Sequence, residues 1–216
     1  MDIEANYILS AIAIGIGATL VMDLWNLFLK RTFSLPSLNY CLLGRWLRHM
    51  PGGTLRHASI TAAPPKSFEC KVGWFAHYTI GVVFALVFVV LTSGDWVARP
   101  TLLPALLYGI GTVLFPFFIM QPSLGLGIAA SRTPKPTQAR LKSLVTHTVF
   151  GVGLYVCALG VSYALRLHHT LAFMLIGGVA IILVLAIVYL SSSKHADRKN
   201  SGSAGELFTP GTGPGG

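Results

Sequence analysis

The chain has 216 residues, of which 53% are apolar and only 11% charged, with a formal net charge of +9. An ordinary soluble domain carries about 25% charged residues and cannot cover its surface with so few. With a mean hydropathy of +0.67, a soluble globular fold, a disordered chain and a collagen-like fibre are excluded, and three cysteines are too few for a disulfide scaffold. The composition is that of an integral membrane protein.

Five apolar stretches have about the 20 residues that a helix needs to cross a bilayer. In chain order they cover residues 7–29, 73–93, 101–124, 143–165 and 170–191. They are continuously apolar, without the alternation of a β-barrel strand, and only helices satisfy such backbone in hydrocarbon. The fold class is therefore all-α, a polytopic transmembrane helical bundle of five spans. Residues 1–166 form a four-span core with an amphipathic loop over 30–72. Residues 167–191 add a fifth, peripheral span, and 192–216 a tail or linker too rich in Gly, Ser and Pro to fold.

Lys and Arg set the orientation. Counted from before the first span, the connections hold 0, 7, 1, 4, 1 and 3 of them. This alternation places the N-terminus outside and the C-terminus in the cytoplasm. It also makes the net charge a cytoplasmic collar facing anionic lipid head groups, not a nucleic-acid footprint. The first span lacks a basic leader and is stopped by Lys30 and Arg31, so it is not a signal peptide. Cys41 and Cys70 fall in the cytoplasmic loop and Cys157 within the fourth span; none is expected to pair.

Within the first loop, residues 37–50 place Leu38, Leu42, Trp46 and Met50 on one helical face, with Arg45, Arg48 and His49 away from it. Such a helix lies in the membrane interface, as an anchor between two spans or as a lid with arginines over a site. Two echoes then recur in order. Gly15-Ile16-Gly17 in the first span is matched by Gly109-Ile110-Gly111 in the third, and His77-x-x-x-Gly81 in the second by His147-x-x-x-Gly151 in the fourth. They read either as a tandem two-hairpin repeat or as short Gly motifs recurring in apolar helices.

Three side chains within the spans ionise near neutrality: Asp23, His77 and His147. Such groups are costly in a bilayer and are functional candidates by default. Asp23 lies seven residues before Lys30, His77 six after Lys71 and His147 five after Lys142, so each sits roughly 8–10 Å inside the collar. Each is also on a stripe of small or polar residues, the kind that faces other helices: Ala11, Gly15, Thr19 and Asn26 with Asp23; Gly73, Gly81 and Ala85 with His77; Ser143, Gly151 and Tyr155 with His147. Gln121 arrives near the same level, between Pro116 and Pro122, which would loosen the third span.

Three readings of this cluster are open. It is a structural Asp–His pair, a proton-linked or solute-binding site, or a metal site with Asp23, His77 and His147 as ligands. No paired-His box, nucleophile elbow or phosphate-cradling loop is present, and no cofactor is expected. The working function is a small transporter or permease-like protein. Asp23, His77 and His147 form its polar site, Asn26 and Gln121 orient the bound group, and Arg45, Arg48 and Arg132 guard the entrance. The alternatives are a membrane metalloenzyme acting on a lipid-like substrate and a non-catalytic accessory subunit. The expected partners are the bilayer itself and a membrane protein, or a second copy, through the fifth span.

Several motifs carry a family resemblance: Ala18-Thr19-Leu20-Val21-Met22-Asp23, Gly44-Arg45-Trp46, Gly73-Trp74-Phe75-Ala76-His77-Tyr78, Met120-Gln121-Pro122, Ala130-Ser131-Arg132-Thr133-Pro134 and Ser143-Leu144-Val145-Thr146-His147. Over residues 12–164 the chain resembles a bacterial membrane-protein family, the domain-of-unknown-function family numbered 2938. The resemblance implies a multi-pass protein of the bacterial inner membrane and supplies no activity.

Overall fold

The computed structural model describes residues 3–166 apart from Pro36 and Ser93, and residues 174–189; side chains are described from Tyr7 onward. The chain divides into two units between Phe173 and Met174. In the first, four helices are long and apolar enough to cross a membrane, over Tyr7–Phe33, Glu69–Leu91, Leu102–Ser123 and Pro136–Leu165. In the second, the described residues form one shorter apolar helix, Met174–Tyr189, within the expected fifth span. The flanks of that span and the tail over 192–216 lie outside the described residues.

Each span begins and ends where local chemistry dictates. Helix α1 (Ile3–Phe33) carries Lys30 and Arg31 in its last turn, against the negative end of its dipole. The loop helix α2 (Tyr40–His49) is capped by Asn39, whose side chain accepts from the Cys41 amide at 3.0 Å. Helix α3 (Glu69–Leu91) has Glu69 in its first turn, and a short α4 (Asp95–Ala98) turns the chain back. The third span is broken, as its prolines predict. Helix α5 (Leu102–Gly111) gives way to a π-helical turn over Pro116–Met120 and then to α6 (Gln121–Ser123), because neither Pro116 nor Pro122 can donate a backbone hydrogen bond. Helix α7 (Pro136–Arg166) is unbroken.

The spans close into a ring. Helix α1 packs on α3 and α7, and α5 packs on α7. Tyr108 of α5 completes it by stacking on Phe88 at 4.7 Å and donating to the Phe84 carbonyl at 2.8 Å. The small stripes predicted to face inward do so: Gly15 lies against the backbone of Gly81 and Val82, and Gly151 against that of Ala105 and Leu106. The main core is Ile14, Ala18, Phe88, Val97, Phe150 and Leu154 with their neighbours. A second, smaller core of Leu43, Trp46, Ile60, Met120 and Leu124 ties the first loop to the broken third span. The loop is pinned there by backbone bonds from His57 to Ser123 and from Ile60 to Leu124.

One expectation is corrected. Cys41 and Cys70 form a disulfide, while Cys157 is free. The expectation rested on the reducing cytoplasm to which the loop's basic charge assigns it, and took no account of how closely its two ends approach. Here α2 crosses α3 almost backbone to backbone. A Cβ on Gly44 would collide with the Glu69 carbonyl oxygen, and one on Gly73 with that of Tyr40, so only glycine permits the approach that brings the two cysteines together.

Candidate functional site

Asp23 is buried on the interior stripe of α1, 5% exposed, and three donors converge on its carboxyl group. His77 Nε2 lies 3.0 Å from Oδ1, the Tyr40 hydroxyl donates to the same oxygen at 3.1 Å, and the Tyr78 hydroxyl donates to Oδ2 at 3.0 Å. Toward an ionised carboxylate, which only accepts, His77 donates from Nε2. The rings also stack: Tyr40 lies over His77 at 4.1 Å with 24° between planes, and Trp74 backs Tyr40 at 4.6 Å. Burial of the Tyr40 hydroxyl, and then the charge and hydrogen bond of Asp23, push its pKa well above the ordinary tyrosine range. Tyr40 therefore remains a donor at any physiological pH.

His147 faces the same region from α7 but takes a different partner, with Nδ1 2.8 Å from the Thr112 hydroxyl. The Thr112 hydroxyl also contacts the Gly109 carbonyl at 2.5 Å. A hydroxyl has one hydrogen, and the shorter contact assigns it to Gly109. With that hydrogen directed at Gly109, Thr112 accepts from Nδ1–H of His147.

Between these groups lies a cavity of about 430 Å³, within the 300–1,000 Å³ or so of small-molecule pockets. Its walls are mostly apolar, with Met22, Leu43, Phe84, Phe115 and Phe150 prominent. Its polar lining includes His77, His147, Asn26, Gln121, Ser143 and Lys142. Asn26 accepts from the Thr146 hydroxyl at 3.4 Å. Gln121 is 7% exposed; its amide nitrogen reaches Ser143 at 3.5 Å, and its Oε1 has no partner among the described residues. Asp23 does not line the cavity. It sits behind His77 and Tyr40, which do.

The structure thus brings Asp23 and His77 into contact and places His147, Asn26 and Gln121 around one cavity. It does not place the arginines there. Arg45 makes a two-pronged ion pair with Glu69, at 2.8 and 2.7 Å, and donates to the carbonyls of Ile60 and Ala63. Arg48 and Arg132 are exposed and do not line the cavity. The three-ligand metal set does not assemble either: among the described residues no three His, Cys, Asp or Glu side chains come close enough to hold an ion. Sequence reasoning missed Tyr40, Tyr78, Thr112 and Lys142. Tyr78 alone carried a signal, being next to His77, yet its neighbouring position on the helix set it off the interior stripe.

Four helices long and apolar enough to cross a membrane surround a partly polar cavity, the architecture of a polytopic helical bundle. The chain belongs to the family described as "Protein of unknown function (DUF2938)", which matches residues 12–161 and so reaches into all four of these helices. No curated protein and no solved structure matches it.

Proposed function

We propose that the protein is a small permease-like carrier of the bacterial inner membrane that takes an amphipathic solute into the cavity and couples its binding to proton movement. The single observation that supports this most is the position of His77, which lines the cavity with one edge and hydrogen-bonds buried Asp23 through Nε2. A histidine so placed transmits a change of charge or hydrogen bonding in the cavity to a carboxyl group that the solute does not touch. Asn26, Gln121 and His147 orient the solute's polar end, and the aromatic wall takes its apolar body. The broken third span supplies the deformable segment that alternating access requires.

In this reading there are five spans, with the Lys- and Arg-rich connections in the cytoplasm and the N-terminus outside. The matched packing of Gly15 on Gly81 and of Gly109 on Gly151 supports descent from a duplicated hairpin. The test is proton movement in liposomes carrying the purified protein and an internal pH-sensitive dye, challenged from outside with a panel of small amphipathic solutes. A solute-dependent pH change is expected from the wild type and is lost in Asp23→Asn and His77→Ala. Identical traces from the wild type and both variants refute the coupling.

A further inference from the structure

The cavity is graded along its depth. On α7 its lining residues Lys142, Ser143, Thr146, His147 and Phe150 recur at helical spacing, so they share one face. Lys142 and Ser143 stand nearest the basic end, and Phe150 is eight residues further on, about 12 Å deeper. On α3, Phe84 lies seven residues beyond His77, about 10 Å deeper. At that deep end Phe84 meets Phe115 at 5.9 Å and Phe150 at 6.3 Å, and the hydroxyl of Thr19 donates to its own helix, to Gly15 at 2.8 Å. The charge is one-sided as well. Among the described residues that line the cavity there is no Asp or Glu, and Lys142 is the one Lys or Arg. Asp23 sits behind His77 and Tyr40, and Glu69 is paired with Arg45.

We infer that the cavity takes anionic amphiphiles, a carboxylate on a compact apolar body, with Lys142 recognising the head group and Phe84, Phe115 and Phe150 receiving the body. This deepens the solute-binding reading and rests on it. A carboxylate at the level of Lys142 meets a cation and no like charge, and a charge-assisted hydrogen bond is about twice as strong as a neutral one. Ser143 follows Lys142 on the lining, and Asn26 bonds Thr146 one turn deeper. Both carry donors for the remaining lone pairs of a carboxylate. A cationic amphiphile in the same place would face Lys142 with no acid on the lining to offset it. The apolar surroundings weaken the screening that makes such pairs nearly indifferent on an open surface. A volume of about 430 Å³ suits one drug-sized body.

The probes are tritiated 2-naphthoate and 2-naphthamide, which share one ring system and a planar head of similar size but differ in charge at neutral pH. Their dissociation constants are measured by scintillation proximity on the full chain in nanodiscs of phosphatidylcholine, for the wild type, Lys142→Gln and Lys142→Arg. The probes partition differently into lipid, but that difference is common to all three proteins and cancels in the comparison. Expected is a preference for naphthoate about tenfold greater in the wild type than in Lys142→Gln, and kept in Lys142→Arg. Should the glutamine variant not fold, Lys142→Met, unbranched and uncharged, serves the same comparison. Saturable binding of both probes with equal preference in wild type and Lys142→Gln overturns the anion rule and leaves the cavity reading standing. Absence of saturable binding of either probe over empty nanodiscs overturns both. Loss of naphthamide binding when phosphatidylglycerol replaces part of the lipid, which surface charge cannot cause for an uncharged probe, would put a bilayer lipid in the site and overturn the solute.

Discussion

Tyr40→Phe removes one donor from Asp23 while keeping the ring that stacks on His77 and Trp74. A hydrogen bond to a charged group contributes about 1.5–3 kcal/mol, against about 0.5–1.5 between neutral partners. The carboxylate keeps two of its three donors, so the loss is confined to that one bond. For a chain of this size about 1 kcal/mol shifts the melting temperature by roughly 2–4 °C, which puts the expected fall at ~3–12 °C by tryptophan fluorescence in detergent. The sharper test is a double-mutant cycle. In an Asp23→Asn background the same substitution removes only a bond between neutral groups, so Tyr40→Phe should cost about 1 kcal/mol less there than in the wild type. Tyr40→Ala, which also deletes the stack, should cost more in both backgrounds. A Tyr40→Phe effect that is the same with and without the Asp23 charge would show that the hydroxyl does not act on the carboxylate.

Three further outcomes follow from the loop and the helix contacts. Gly44→Ala and Gly73→Ala each drive a methyl into a backbone carbonyl and should lower stability by about 1–3 kcal/mol or more, whereas Gly160→Ala, on an exposed helical position with open space around it, should raise it by up to about 1 kcal/mol; thermal melts of the three variants decide this. Burial, and then the neighbouring charge of His49, lower the pKa of His57, so below its ordinary value of about 6.5 the opened loop binds more protons than the closed one. Amide exchange at Ile60 should therefore be better protected at pH 7.5 than at 5.5 after correction for intrinsic rates, and His57→Phe should flatten the difference. Finally, Cys70 is exposed beside its partner Cys41, and the proposed orientation puts both on the cytoplasmic face. After treatment with an impermeant reductant, an impermeant maleimide should label them only in opened cells, and labelling of intact cells would reverse the orientation.

The positions of four spans and the contact between Asp23 and His77 were legible because both rest on periodicity. Asp23 and His77 each lie on a stripe of small or polar residues, and two helices that pack through such stripes bring groups at equal depth together. His147 was legible by the same reasoning as a residue of the same level. Its partner was not, because Thr112 is one of many hydroxyl residues whose usual role in an apolar helix is to bond its own backbone, as it also does here. Tyr40 was beyond reach for another reason. It follows a non-helical connection from the end of α1, and no spacing rule carries a register across such a segment. The reading of Arg45 as a gate failed to consider Glu69, which lies 24 residues on and is brought near only because Gly44 and Gly73 let α2 and α3 touch. Tertiary contacts of this kind depend on two glycines whose significance appears only when both helices are placed.

The two ends of the ring differ for reasons that make the cavity a consequence of the sequence. At the sparsely charged end, Trp96 packs on Phe88 at 4.6 Å, its indole nitrogen donates to the Thr101 carbonyl, and Ser162 donates to the Ala98 carbonyl, so the turn between α3 and α5 plugs the bundle. At the basic end the third span cannot continue straight, since Pro116 and Pro122 break its hydrogen-bond ladder and the wider π turn carries its backbone off course. The facing residues on α1 and α3 are small, Thr19 and Gly81, and cannot fill the space. Phe84 meets Phe115 edge-on at 5.9 Å and Phe150 at 6.3 Å, and these propped rings keep the walls apart. These aromatic contacts wall the cavity, whose lining also includes Gln121, His77 and His147.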